Sequence, residues 1–362
     1  MTMYGIAIVQ VLYGVLIGDA LSMPVHWYYN VADIYRDFPP AGITGLQYEA
    51  PKSTHPGAFM DRSSTGAQGR GTHVGDVIGR VINHGKKSKW AMKGTHYHDA
   101  MLAGENTLNA LCARVLTRTL AENDGPPQYD VDAWLDAYVT FMTTPGSHND
   151  TYAESYHRHF FANYDSGVSP RECATNGRVK DHNFVTIGAL VSTPVVVLTA
   201  ANADESEAVR LAVQHARSTH GVAELDVHVK RYAKALHRVL RGASLKRVAE
   251  KFAAEYGVDV ASLIDTPDSE VVAMLGPQCY LDGALPIVFY LASKYADDPV
   301  AGLLANTNSG GENAHRGSVL GALLGAQSST SWPTTWKVGL HDQPAIDDEI
   351  RRFARSLVDN EL

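Results

Sequence analysis

A glycine, a glutamate and an asparagine stand together twice in this sequence, as Gly104-Glu105-Asn106 and as Gly311-Glu312-Asn313, one copy in each half of the chain. Each precedes an apolar stretch of helical spacing. A carboxylate and an amide are thereby set beside the unpaired N–H groups of a helix start, where ions and sugar-phosphate oxygens bind well. If the two helices are neighbours the two copies meet, and two facing carboxyls divide into a general acid and a general base as proximity and burial separate their pKa values. Just ahead of the first copy, His96-Tyr97-His98-Asp99 forms a second polar cluster placed to rim a pocket. A third runs through His148, Asn149, Asp150, Tyr152, Glu154 and His157; it reads as a solvated amphipathic helix, with pocket lining as the alternative. A serine-hydrolase reading fails for want of a G-x-S-x-G elbow.

These residues need a scaffold. The chain has 362 residues, 45% of them hydrophobic and 19% charged, enough to bury a substantial core. Net charge is −8 with no basic block, which gives nucleic-acid or anionic-membrane binding no electrostatic support and favours a small-molecule partner. Cys112, Cys173 and Cys279 are far apart and odd in number, the usage of a reducing, cytoplasmic compartment. The apolar opening from Tyr4 to Ile17 lacks the basic flank of a signal peptide, since the first cation is Arg36, and is short for a membrane span.

Taken in order, the chain opens with a buried helix that Pro24 ends or kinks, followed from Asp33 to His73 by a long loop with a glycine cluster at Gly66 to Gly71. Apolar positions Leu108, Leu111, Cys112, Val115 and Leu116 share one helical face, so a helix is expected from about Ala100 with Gly104 and Glu105 at its beginning. A break at Gly125 leads to a helix over Val131 to Met142. The run from Val185 to Ala201 predicts a central buried helix kinked at Pro194. Helices over Glu207 to His215, Val222 to Leu240, Leu245 to Tyr256 and Leu281 to Tyr295 follow. Gly317, Gly321 and Gly325 then give a further helix a bare stripe for close approach of a neighbour. With no useful β-alternation, the expectation is an all-α, compact multi-helix orthogonal bundle. It forms one domain over residues 1–362, with 332–362 a short helical C-terminal tail.

The chain resembles the ADP-ribosylglycohydrolase family, whose relatives include the dinitrogenase reductase-activating glycohydrolases and the J1 crystallins. Gly18-Asp19-Ala20-Leu21-Ser22-Met23-Pro24-Val25-His26 is similar to the family's opening G-D-A-x-G-x-P-x-E, and Gly104-Glu105-Asn106-Thr107-Leu108 falls where the family has D-D-T-x-M. Asn183 to Pro194 loosely resembles N-G-x-x-M-R-x-x-P, and Asp282 to Pro286 resembles E-S-L-P. The gapless match of Gly310 to Ala326 to G-G-D-T-D-T-x-A-x-x-x-G-A-L-L-G-A is the strongest. The resemblance implies a nearly all-helical fold. It also implies a site in which aspartates of D-D-T and D-T-D, with the opening carboxylate, hold two magnesium ions that orient a ribose and a water.

At those positions this sequence departs. His26 replaces the opening glutamate, Gly104-Glu105 the aspartate pair, Asn106 and Asn313 threonines, Glu312 and Ala314 the last aspartates, and His315 a threonine. Magnesium needs several oxygen ligands in octahedral array, so a dinuclear magnesium site is not expected. The expected cofactor is none, or one divalent ion on Glu105, Glu312, His26 and His315, a mixed set that suits zinc, manganese or iron. The resulting expectation is a divergent hydrolase that cleaves a glycosidic or related C–N bond of a small polar substrate, ribosylated molecules included. Glu105 and Glu312 are its acid–base pair and His26 and His315 assist. Asp19, Asn106, Asn313, Arg316, His96 and His98 bind substrate, with helix capping the alternative for Asp19. The alternative is a catalytically silent binding or crystallin-like structural protein. His220 sits where the family has a histidine in a helix-to-helix turn, and a structural role is expected for it.

Overall fold

Two glycine-bearing helices pressed backbone to backbone form the centre of the molecule. The computed structural model describes residues 3–52, 77–90, 95–122, 127–177, 184–327 and 329–358. The expected glycine cluster at 66–71, the break at Gly125, and Asn183 lie outside the described residues. Seventeen α-helices are found among them. The first seven are α1 (Met3–Ser22), α2 (Val31–Asp37), α3 (Lys87–Trp90), α4 (Leu108–Ala121), α5 (Val131–Thr143), α6 (Ser155–Asp165) and α7 (Pro170–Cys173). The middle of the chain carries α8 (Thr193–Thr199), α9 (Glu205–His220), α10 (Asp226–Leu240), α11 (Leu245–Ala254) and α12 (Asp268–Leu275). Then come α13 (Leu281–Lys294), α14 (Pro299–Asn308), α15 (Asn313–Gly325), α16 (Thr334–Gly339) and α17 (Gln343–Val358). Among the described residues β-pairing is confined to isolated bridges, so the all-α expectation holds.

The bare stripe of α15 meets a matching one on α1. A Cβ at Gly14 would fall 2.1 Å from Gly321 O, one at Gly18 2.1 Å from Gly317 O, and one at Gly325 2.4 Å from Gln10 O. No side chain fits between such backbones, which is why glycine stands at each crossing. Every residue of α15 is buried. Around this pair pack α17 and α4 on one flank and α13 and α14 on another, while α8, α9, α10 and α11 form a contiguous group.

The first helix is longer than the sequence reading allowed. The window Gly5–Val25 has a mean hydropathy of 1.8 and is long enough to cross a membrane, but 89% of it is buried in the fold, where a helix apolar on all sides belongs in a protein core. The expected kink at Pro194 is absent. A 3-10 turn at Ile187–Leu190 precedes α8, and Pro194 sits in the first turn of that helix, where its missing N–H costs nothing.

Candidate active site

Two remote aspartates hold the start of α4. Thr107, at its cap position, makes no side-chain cap bond. Instead Asp19 accepts from Thr107 N at 2.7 Å and from Thr107 Oγ1 at 2.6 Å, while Asp150 accepts from Leu108 N at 2.7 Å. N–H groups at a helix start have no partner within the helix, and the helix dipole favours negative charge there. Asp19 thus ties α1 to α4, and Asp150 brings the extended segment ahead of α6 against the same point.

From Asp150 a line of buried side chains crosses the molecule. Asp150 Oδ1 lies 2.8 Å from His98 Nδ1, His98 Nε2 lies 2.6 Å from His26 Nδ1, and His26 Nε2 lies 2.9 Å from Glu312 Oε1. Glu312 Oε1 is also 3.1 Å from His315 Nδ1, which stands 3.5 Å from Glu154 Oε1. Glu154 Oε2 accepts from Asn109 Nδ2 at 3.1 Å; Gly188 leaves it room, since a Cβ there would sit 2.1 Å from that oxygen.

Glu312 is placed by its own backbone as much as by its neighbours. Gly310 and Gly311, both at φ 71°, pass between two other strands of chain, where a Cβ would meet Tyr28 O at 2.3 Å or Pro277 O at 2.2 Å. Gly311 exchanges 2.8 Å bonds with Trp27 N and Tyr28 O, and Glu312 N donates to Pro277 O at 2.7 Å. Glu312 then caps α15 by accepting from His315 N at 3.2 Å. Trp27 adopts φ 62°, a strained value for a bulky residue, and its ring stacks on His26 with centroids 3.6 Å apart.

The electrostatics divide the two carboxyls. Burial alone would push Glu312 up, but the His26 and His315 rings outweigh it and hold the group well below the usual range. Burial pushes Glu154 up, and the Glu312 charge adds to this against the pull of His315 and the Asn109 bond. Burial lowers His315, yet the carboxylates of Glu312 and Glu154 prevail and raise it to about 10. His26 is lowered to about 3, first by burial, despite Glu312. Asp150 is kept below the carboxylate range by His98 and by the Tyr152 and Leu108 N–H groups, which together exceed the effect of burial. The Cys279 thiol is pushed well up by burial and then by the Glu312 and Glu154 charges, which disfavours the thiolate. Cys279 is only partly buried and Tyr29, whose hydroxyl also feels Glu312, is 43% exposed; they mark the outer edge of the group.

The structure brings His26, His98, Glu312 and His315 together and sets Glu105 apart. α4 begins at Leu108, so Glu105 falls in the turn before the helix, where its Oε2 accepts from Leu102 N at 2.6 Å and from Asn149 Nδ2 at 3.0 Å. The expected pairing of Glu105 with Glu312 is corrected accordingly: the carboxyl across His315 from Glu312 is Glu154. Asp150 and Glu154 come from the 148–157 stretch, in which Asn149 is exposed, residues 150–154 are irregular and buried, and helix begins only at Ser155. The clue was the polar residues themselves: among them Asp150, Glu154 and His157 are all buried, against the solvated helix the pattern predicted. His96 and His98 lie inside the fold, not on a rim, and His96 Nδ1 accepts from His98 N at 3.1 Å.

Of the expected substrate binders, Asn106 donates to Leu16 O at 2.7 Å and Asp19 at 3.0 Å, and Asn313 donates to Thr307 O at 2.8 Å and Val25 O at 3.3 Å. Arg316 donates to Asn306 Oδ1 at 2.7 Å and Gly310 O at 2.8 Å; its Nη1, the Glu312 Oε2 and the His315 Nδ1, which faces its two carboxylates at ion-pair distance only, have no hydrogen-bond partner among the described residues. His220, expected to be structural, is buried with its ring stacked on Tyr156.

His26, Glu312 and His315 each offer one ligand atom, all within 4.8 Å of one another, a set able to hold one metal ion. Two magnesium ions do not fit. Asn106 and Asn313 use their amide N–H groups on backbone carbonyls, Glu105 is turned to Leu102 and Asn149, and His26 and His315 present nitrogen. Magnesium requires about six oxygens around each ion.

A family model described as ADP-ribosylglycohydrolase matches residues 69–361. Among solved structures, one described as an ADP-ribosylglycohydrolase-related protein complex superposes with a TM-score of 0.58 at 17% identity, over 99% of this chain and 100% of that one. At that identity the likeness speaks for the fold. A search of curated proteins found no match.

Proposed function

The chain belongs to the ADP-ribosylglycohydrolase family, and on that premise we propose that it is a hydrolase whose acid–base pair is Glu312 and Glu154, working without the two-magnesium arrangement. Its substrate is a small polar molecule, ribosylated molecules included, and the bond cleaved is glycosidic or a related C–N bond. One observation carries this reading: two buried carboxyls share one histidine nitrogen, at 3.1 and 3.5 Å, and their surroundings push their pKa values in opposite directions.

In the proposed reaction the ionised Glu312 takes a proton from water on its buried, unpartnered Oε2, and the water oxygen attacks the anomeric carbon as the bond to the leaving group breaks. The protonated Glu154 gives its proton to the departing nitrogen or oxygen, so the elements of water are added across the bond. His315 resets the site. Its Nδ1 hydrogen passes to Glu154 and is replaced by the proton that Glu312 has gained. Arg316 Nη1 is available to a substrate hydroxyl or anionic group.

Incubating a metabolite extract with the wild-type chain and with Glu312→Gln tests the proposal. A ribosylated or glycosylated compound that is consumed by the wild type alone, with its hydrolysed product appearing, is the expected result. Identical profiles with both proteins would overturn the hydrolase reading in favour of a catalytically silent protein of this fold.

A further inference from the structure

Glu154 stands at the cap position of α6, yet its side chain makes no capping bond to that helix. Among the described residues its carboxyl takes one hydrogen bond, from Asn109 Nδ2 to Oε2 at 3.1 Å, and otherwise meets only His315, at 3.5 Å. Asn109 is held in turn from its other side. Its Oδ1 lies 3.0 Å from His157 Nε2, and His157 Nδ1 lies 2.5 Å from the Tyr138 hydroxyl. Asn109, His157 and Tyr138 come from α4, α6 and α5, and all three are buried. Gly188 packs against the Asn109–Glu154 bond itself: a Cβ there would fall 2.1 Å from Glu154 Oε2 and 2.6 Å from Asn109 Nδ2. The φ of Gly188 lies outside the left-handed region, so its missing side chain serves space and not backbone shape.

We infer that Asn109 is a positioning residue for Glu154, and that His157 and Tyr138 keep the Asn109 amide from turning. A glutamate side chain is long and loses rotational freedom only where it is tied, and here a single donor ties it. Asn109 gives its Nδ2 to Glu154, so the oxygen that faces His157 can only accept. His157 Nε2 therefore carries hydrogen, and its Nδ1 accepts from the Tyr138 hydroxyl. Turning the amide over would bring one N–H group against another at His157. The hold on Glu154 thus extends through three helices. With Oε2 tied to Asn109, Oε1 is the oxygen that faces His315. A displacement of about 1 Å at such a group is enough to cost roughly 100-fold in rate. The consequence for catalysis rests on reading Glu154 as the acid of the pair; the arrangement of the side chains does not.

Crystal structures of the full-length wild type, Asn109→Ala and Tyr138→Phe test the inference without a substrate. The wild type should show Asn109 between Glu154 and His157. In Asn109→Ala the Glu154 carboxyl should swing away from His315. In Tyr138→Phe, which keeps the ring and its packing, the His157 ring or the Asn109 amide should take more than one orientation. A Glu154 carboxyl that stays in place in Asn109→Ala would overturn the inference whatever the protein hydrolyses. Should Asn109→Ala fail to fold, Tyr138→Phe decides, and an unmoved His157, Asn109 and Glu154 there would overturn it equally. With a substrate in hand, Asn109→Ala should lower kcat on the order of 10- to 100-fold while KM moves little. In a Glu154→Gln background the same change should lower kcat no further, because Asn109 acts through Glu154. Equal losses in both backgrounds would mark Asn109 as merely structural. An unchanged rate in Glu154→Gln alone would remove the acid assignment, and with it the catalytic half of the inference.

Discussion

Glu312 and Glu154 differ in protonation because one has two imidazoles at its oxygen and the other is chiefly desolvated. Turnover needs the first ionised and the second protonated. The rate should therefore rise as pH passes the depressed pKa of Glu312 and fall as pH passes the raised pKa of Glu154. Glu154→Gln should lower kcat on the order of 10²- to 10⁴-fold and abolish the alkaline limb of the pH–rate profile, while an unchanged limb would assign it to another group. The same residues also fix the expectation for metals. Chelation followed by elemental analysis should leave activity intact; loss of activity restored by one equivalent of zinc would move the water-activating role from Glu312 to an ion held by His26, Glu312 and His315.

At the scale of elements, the α1–α15 contact is what carries His26, at the end of the turn after α1, to Glu312 at the head of α15. Backbone carbonyls lie about where a Cβ would be, so Gly321→Ala meets Gly14 O at 2.1 Å and cannot be relieved by turning a side chain. Alanine would favour the helix by roughly 1 kcal/mol, yet overpacking should cost about 3 kcal/mol or more. Urea unfolding should show a large net loss of stability; a gain would show that the helices separate easily. The stripe of α15 was legible in the sequence because it repeats within one helix. Its partners were not legible as partners: Gly14 is hidden in the apolar run of α1, and Gly18 stood out only as the head of a motif, because one helix's sequence does not say which neighbour will press on it.

Across the whole molecule, the last helix is clamped back onto α4. Arg114 donates through Nε to Glu349 Oε2 at 2.6 Å and through Nη2 to Oε1 at 3.0 Å, and Arg118 reaches Oε1 at 3.2 Å. Glu349 is buried, and Glu349→Gln should cost about 2 kcal/mol by weakening its charge-assisted bonds to Arg114 and Arg118, with Arg114 Nη2 still held by Asp342 at 2.6 Å. Hydrogen exchange should quicken across Gln343–Val358 before it does elsewhere. The expectation of one domain over residues 1–362 predicts thermal unfolding of the wild type as a single transition seen alike by helix and tryptophan signals; two separated transitions would divide the chain.

Helical periodicity, the glycine stripe and the unusual phrase at Glu312 are local properties, and the sequence alone determined from them an all-helical protein with a polar site at the head of α15. It also marked His26 and His315, because motif positions travel with the chain. Which carboxyl stands across from Glu312 was decided only by tertiary structure. Glu105 lies one turn too early for its helix and folds back on Leu102, whereas Glu154 and Asp150 belong to a segment whose extended path depends on burial beneath distant helices. A chain's periodicity reports which face of an element is apolar, but not which remote segment will be laid against that face, and the line from Asp150 to Glu154 is built from such segments.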